Sequence, residues 1–326
     1  MKVDVCMLSV SEPDVDGYVT LGVSLDFTRP AMKNARHIIA EVNKQMPRTN
    51  GNTRVHISEI ESFVETDYPL PNLHIEETTD TARQIAKNVA SLVEDGATLQ
   101  MGIGAIPNAV LECLTDKKDL GIHTELFSDA VVNLVESGAL TNAKRSISPG
   151  KITTSFVMGS EKLYRFVDEN RNVEFRDSEW VNDPFVIAQN YRMTSINAAL
   201  QVDLTGQVCA DSLGTAMYSG CGGQVDFFRG SSHAPEGKAI LALESTAAKG
   251  TVSRIVPMLS PGAGVVTSRA DVYYVVTEYG IANLHGKNMK DRVKALIEIA
   301  HPDFRESLER GASEYKWYAP RMGISS

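Results

Sequence analysis

Between residues 79 and 138 the sequence alternates helix-like and strand-like runs. TTDTARQIAKNVASLVEDG places apolar residues at Ala82, Ile85, Ala86, Val89, Leu92 and Val93. That spacing predicts a helix, with Thr79 or Asp80 as its cap and Gly96 closing it. ATLQMGIG reads as a strand, and PNAVLECL as a helix with Pro107 in its first turn. GIHTELF reads as one strand, and SDAVVNLVESG as a helix capped by Ser128 or Asp129. Such βα repetition narrows the choices sharply. Parallel neighbours need a crossover, and a helix is the usual one, so the pattern predicts a mainly parallel sheet with helices outside it.

The flanks are less regular. VDVCMLSV, residues 3–10, reads as a buried strand, followed by a turn and a short strand in SEPDVDGYVTLG. FTRPAMKNARHIIAEVN reads as a helix and then a strand over 37–42. Pro69 and Pro71 mark a linker. After Gly150 come short strands and Gly turns: ITTSFVMG, a hairpin around LTGQ, KAILALES, SRIVPMLS, GVVTSR and VYYVVTEYG. Two helices, MKDRVKALIEIAHP and FRESLERGA, come last.

Charge and cysteine content exclude several function classes. A net charge of −9 argues against a non-specific nucleic-acid binder, which needs clustered Lys and Arg. An anionic ligand would have to be held by backbone amides and a few placed cations. No apolar run approaches the roughly 18 residues of a membrane span, and no signal peptide follows Met1-Lys2. Cys6, Cys113, Cys209 and Cys221 are widely spaced and form no CxxC, so neither a zinc site nor a disulfide framework is expected, and the cytoplasm is the expected compartment.

Five stretches could carry chemistry. In LQMGIGAIPNAV a strand runs through Gly102-Ile103-Gly104 into a helix, which suits either an anion site or a plain tight βα turn. It is not the dinucleotide fingerprint, because Pro107 replaces the third glycine. Glu125 stands where a strand hands over to a helix, at the end of a sheet where ligands gather. It reads as a base or nucleophile, or as a solvated or capping glutamate. In YSGCGGQVDFFRG the amides around Gly220, Gly222 and Gly223 suit an oxyanion hole, or a turn between strands; Asp226 and Arg229 follow. Lys249 and Arg254, in STAAKGTVSRIVP, are phosphate contacts or ordinary surface cations. VVTEYGIANLHGK reads as a structured loop in which His285 is structural. His233 is expected to be exposed, and His123 either tunes Glu125 or packs.

Taken together, LQMGIGAIPNAV, GIHTELFSD, VNDPF, GCGGQVDFFRG, STAAKGTVSRIVP and VVTEYGIANLHGK resemble the acetyl-CoA hydrolase/CoA-transferase family, and within it the branch of 4-hydroxybutyrate and butyryl CoA-transferases. The similarity runs in order from Val3 to about Glu309. It implies a CoA-transferase-like α/β fold of the type shared with sugar-phosphate isomerases, with open, mainly parallel sheets in two domains. Residues 1–75 would be the last part of a truncated first domain, leaving open strand edges and apolar faces. Residues 76–326 would be the second domain, carrying the catalytic glutamate.

The resemblance also implies roles. Glu125 matches the glutamate that is acylated and then carries CoA as a thioester. Gln100, Gly102, Ile103, Gly104 and Ala105 match the acyl-CoA-binding loop. Asn182, Gly222 and Gly223 match positions near the thioester, and Lys249 matches a CoA-contacting lysine. The implied substrates are a short-chain acyl-CoA (4-hydroxybutyryl, butyryl or acetyl) and a small carboxylic acid such as acetate. Coenzyme A is a substrate, with no permanently bound cofactor or metal, and a homodimer is the default assembly. An acyl-CoA hydrolase would use the same residues and admit water. A non-catalytic acyl-CoA binder and a sugar-phosphate isomerase-like protein are the readings from other classes; the second leaves GIHTELFSD unexplained.

Overall fold

A six-stranded sheet organises the molecule. In spatial order its strands are Gly280–Asn283, Tyr274–Thr277, Lys238–Ala242, Met193–Asn197, Thr98–Met101 and Gly121–Ile122. All pairs are parallel except the edge hairpin between Tyr274–Thr277 and Gly280–Asn283. The computed structural model describes residues 2–73 and 78–315. The expected division at 75/76 therefore lies outside the described residues.

Successive strand side chains point to opposite faces, and both faces of this sheet are covered. Ile196, Ile240, Ala242 and Val276 pack on one side with Ile85, Ala86 and Val89 of the helix Asp80–Ala90. Ala239, Leu241 and Val275 pack on the other with Phe228, Val293 and Leu296. The first helix forms where its spacing predicts. Thr79 caps it, its hydroxyl accepting from the Ala82 N–H at 3.1 Å. The helices Ala105–Glu112, Asp129–Glu136, Met289–Glu298 and Pro302–Ser313 also follow the sequence pattern.

A second parallel sheet is built from Val3–Val10, Ala35–Asn43 and Ser62–Thr66. Cys6, Leu8, Val10, Ala40 and Val42 face inward and share one core with residues between 85 and 175, including Ile152, Val173 and Phe175. On the outward face Val5, Met7, Ile39 and Val64 are exposed, Met7 by 80%.

Three local readings need correction. GIHTELF is two strands: Gly121–Ile122 pairs in the six-stranded sheet, and Leu126–Phe127 pairs with Phe156–Val157. The break comes at Glu125, whose carbonyl accepts from the Ser155 and Phe156 N–H groups and the Thr154 hydroxyl. Those three bonds pull the chain out of the first sheet. The stretch after Gly223 is not a turn between strands, because Gly223 begins the helix Gln224–His233. GVVTSR forms no strand; only Thr267 bridges to Val208.

Candidate active site

The site gathers at the carboxyl ends of the central strands. Gln100 is buried near the end of its strand, and its side-chain amide exchanges two hydrogen bonds with that of Asn197, at 3.2 and 2.8 Å. The chain then passes through Gly102–Gly104. Gly104 has a φ of +118°, a conformation L side chains rarely adopt, and serves as N-cap of the helix Ala105–Glu112. No atom lies within 4 Å of where a Cβ on Gly102 or Gly104 would sit, so this loop is open above its backbone. Ile103 is exposed between them and Ala105 partly so. The Thr124 hydroxyl ties the loop to the next strand through the Met101 carbonyl at 3.3 Å.

Glu125 follows directly. Its Oε2 accepts from the Asn182 side-chain amide at 2.8 Å. A Cβ on Gly223 would lie 2.5 Å from that same oxygen and 2.7 Å from Asn182 Nδ2. The carboxylate thus rests against the start of the helix Gln224–His233, where the first N–H groups have no intrahelical partner. Only glycine fits at 223 without displacing the two groups that meet there.

Burial pushes the Glu125 carboxyl above the usual carboxylate range. The Asn182 amide acts against that rise, and the charges of Asp26 and Asp226 add to it. Asp226 is itself held high by burial, with Arg229 opposing. Asp26, from the first segment, was not singled out in the sequence. Its contact became legible only when the chain folded, since Ser178, 152 positions away, donates to its backbone and side chain.

The structure brings Glu125, Asn182 and Gly223 together and places Gln100, Gly102 and Gly104 on the adjoining strand end. Gly222 has a φ of +58° and is exposed beside them. Lys249 is different. It sits exposed in the turn of the Thr246–Ala247 and Val252–Ser253 hairpin, with no hydrogen bond or ion pair to the Glu125 group among the described residues. Arg254 is engaged by the Thr246 and Ala199 carbonyls. His233 is exposed as expected, and His285 stacks on Tyr273 at 3.9 Å between ring centres, a structural contact.

His123 is fully buried. Its Nε2 lies 2.8 Å from the Val181 carbonyl, and its Nδ1 lies 3.1 Å from an Arg145 amino group. Burial, with the Arg145 charge, pulls its pKa down to about 3, so it stays neutral. It makes no direct contact with Glu125.

Comparison with known proteins fits this arrangement. The acetyl-CoA hydrolase/transferase N-terminal domain matches residues 1–73, and the corresponding C-terminal domain matches residues 159–312. The 4-hydroxybutyrate coenzyme A transferase of Clostridium kluyveri is 54% identical over 308 residues, covering 94% of this chain and 72% of its own length. A succinyl-CoA:acetate/propanoyl-CoA:succinate CoA transferase of Fasciola hepatica is 50% identical, over 96% of this chain and 66% of the relative. Among solved structures, the 4-hydroxybutyrate CoA-transferase of Porphyromonas gingivalis superposes with a TM-score of 0.86 at 44% identity, over 94% of this chain and 74% of that one. The chain therefore spans between about two thirds and three quarters of these relatives, and it belongs to the acetyl-CoA hydrolase/transferase family.

Proposed function

We propose that the protein is an acyl-CoA:carboxylate CoA-transferase in which Glu125 is the covalent nucleophile. The observation that carries this reading is the desolvated Glu125 carboxylate, held by Asn182 and set against Gly223 at a helix start. A carboxylate is a weak nucleophile when fully hydrated. Partial removal from water, at a site with unpaired N–H donors close by, raises its reactivity and gives the developing oxyanion a place to go.

The chemistry runs in two mirrored halves. A Glu125 oxygen attacks the acyl-CoA carbonyl carbon; the C–S bond breaks and CoA thiolate leaves, giving an acyl–glutamyl anhydride. The thiolate then attacks the glutamyl carbon, and the donor acid departs as a carboxylate. Glu125 now carries CoA as a thioester. An acceptor carboxylate attacks that thioester carbonyl and expels CoA thiolate, forming a second anhydride. Attack of the thiolate on the acceptor's carbonyl releases the new acyl-CoA and restores Glu125.

Gln100, Gly102, Ile103, Gly104 and Ala105 would border the acyl-CoA, which the open space above Gly102 and Gly104 supports. Gly222 and Gly223 would face the oxyanion. Lys249 would reach the CoA body only from its exposed turn. Remote binding of CoA would hold the reacting carbonyl in place. Acetate is the proposed acceptor, and butyryl- or 4-hydroxybutyryl-CoA the donor. The cytoplasm is the proposed compartment, supported by four free cysteines among the described residues. No helix among the described residues is long and apolar enough to cross a membrane.

The test is to supply butyryl-CoA with isotopically labelled acetate. Transfer predicts labelled acetyl-CoA and little net thiol release. Thiol release independent of acetate, with no labelled acetyl-CoA, would make the protein a hydrolase instead.

A further inference from the structure

Arg145 poses a question that the proposed reaction does not answer. The residue is 4% exposed, yet it has no ion pair to a carboxylate among the described residues. Glu174, the nearest carboxylate influence, pairs with Arg176. A buried cation without a paired anion is costly, and its Nε has no hydrogen-bond partner. What Arg145 does hold is specific. One amino group donates to the Lys151 carbonyl at 2.6 Å and the Thr153 hydroxyl at 2.7 Å; the other donates to His123 Nδ1 at 3.1 Å. Gly121 makes room for it, since a Cβ there would lie 2.5 Å from Arg145 Cγ.

The His123 tautomer follows from its partners. The Val181 carbonyl can only accept, so Nε2 carries the proton, and Nδ1 is left to accept from Arg145. The Val181 carbonyl ends the short helix Ser178–Val181, where helix carbonyls lack intrahelical partners. Asn182 comes next in the chain, and its amide donates to Glu125 Oε2. Its own Oδ1 is buried without a partner, so no second bond of that side chain fixes its orientation. The backbone must supply it. Ser178 is anchored to Asp26 at one end of the short helix, and Val181 to His123 at the other.

We propose that His123, fixed in its Nε2–H tautomer by Arg145, is a positioning residue that holds Asn182, and through it the Glu125 carboxylate, in the reactive orientation. The chain Arg145–His123–Val181–Asn182–Glu125 explains both the buried guanidinium and the spacing of GIHTELF: Gly121 admits Arg145, His123 receives it, and Glu125 reacts. The proposal rests on Glu125 as nucleophile for its kinetic consequence, but its structural core does not.

The test uses His123→Phe, which keeps a ring against Trp180 and Phe227 (now 5.5 and 6.2 Å between centres) but loses both hydrogen bonds. It also uses His123→Gln, whose amide can still donate to Val181. Each is measured alone and with Asn182→Ala. Folded His123→Phe is expected to lower kcat by about ten- to a hundredfold, with KM changed by less than about threefold, and His123→Gln to recover most of that loss. Combined with Asn182→Ala, His123→Phe should add less than about threefold, because the group it positions is already gone. An undiminished kcat, or a loss that multiplies fully with Asn182→Ala, overturns the proposal.

A readout independent of turnover separates this from failure of the transferase reading. The Asn182 bond lowers the Glu125 pKa against burial, Asp26 and Asp226. A carboxyl NMR titration of Glu125 should therefore move upward in His123→Phe, and no further when Asn182→Ala is also present. An unmoved Glu125 titration contradicts the proposal whether or not the wild type transfers CoA. The imidazole nitrogen spectrum of the wild type tests Arg145: a proton on Nδ1 would overturn its part. If His123→Phe does not fold, His123→Leu, which also loses both hydrogen bonds, takes its place alone and with Asn182→Ala, and the same outcomes decide.

Discussion

The two parallel sheets solve the same problem differently. The six-stranded sheet is buried on both faces, and Gln100, Gly102 and the Glu125 segment lie at or just beyond the carboxyl ends of its strands. The three-stranded sheet is buried on one face and leaves Val5, Met7, Ile39 and Val64 open on the other. Parallel strands carry apolar side chains on both faces, so coverage of both is the usual condition. The Glu125 carboxylate lies just beyond the covered, larger sheet, held by Asn182 and the helix start at Gly223. The smaller sheet contributes by sharing a core with residues that carry the site, and the turn at Asp26, between its first two strands, adds a charge near Glu125.

The largest expected contrast is chemical. Glu125→Gln should abolish CoA transfer by several powers of ten, since an amide supplies no anionic nucleophile. Glu65→Gln, on the exposed strand of the smaller sheet, should leave the rate unchanged. Equal losses from both would erase the distinction between the sheets. Glu125→Gln also carries a stability signature. The folded pKa of Glu125 is raised, so its contribution to stability is full below the unfolded carboxylate value and is lost as pH rises through the folded pKa. The variant should therefore melt no lower than wild type at neutral pH, and its advantage should shrink as the solution is acidified; a constant offset across pH would contradict the desolvation.

Core truncation comes next. Leu99→Ala, at a fully buried position of the larger sheet, should cost about 2–5 kcal/mol in denaturant unfolding. Smaller again is Gly223→Ala. The atoms its methyl would meet are the ends of the Glu125 and Asn182 side chains, which can move, so the fold should survive while transfer drops by about ten- to a hundredfold. Unfolding of the variant would mean that Gly223 serves the turn and not the carboxylate. Met7→Lys is the smallest. On the open face it should shift stability by no more than about 0.5 kcal/mol while lowering the binding of a hydrophobic dye. A large destabilisation would show that this face is covered in solution.

Much of this was legible in the sequence because it depends on local pattern. The helix at Asp80–Ala90 and the glycine turn after Met101 follow from periodicity and turn chemistry. The close approach of Gly223 was legible through the family motif. What escaped was set by distant contacts. The helix Gln224–His233 hides behind a Gly-Ser-Ser run; Gly230 is there because a Cβ would meet Ile187 at 2.4 Å. The break in GIHTELF needs donors from residues 154–156, and the role of Gly121 needs Arg145, 24 positions further along the chain. Asp26 enters the site from a turn ahead of the helix Thr28–Asn34, with no periodicity to announce it.

The most direct measurement is intact-mass and peptide analysis after incubation with butyryl-CoA and then borohydride, without acceptor acid. A glutamyl-CoA thioester at Glu125 is reduced to an alcohol, so the peptide containing residue 125 should lose one oxygen and gain two hydrogens, and Glu125→Gln should show no change. Reduction at a different carboxylate, or none in a protein that transfers CoA to acetate, would contradict a covalent role for Glu125.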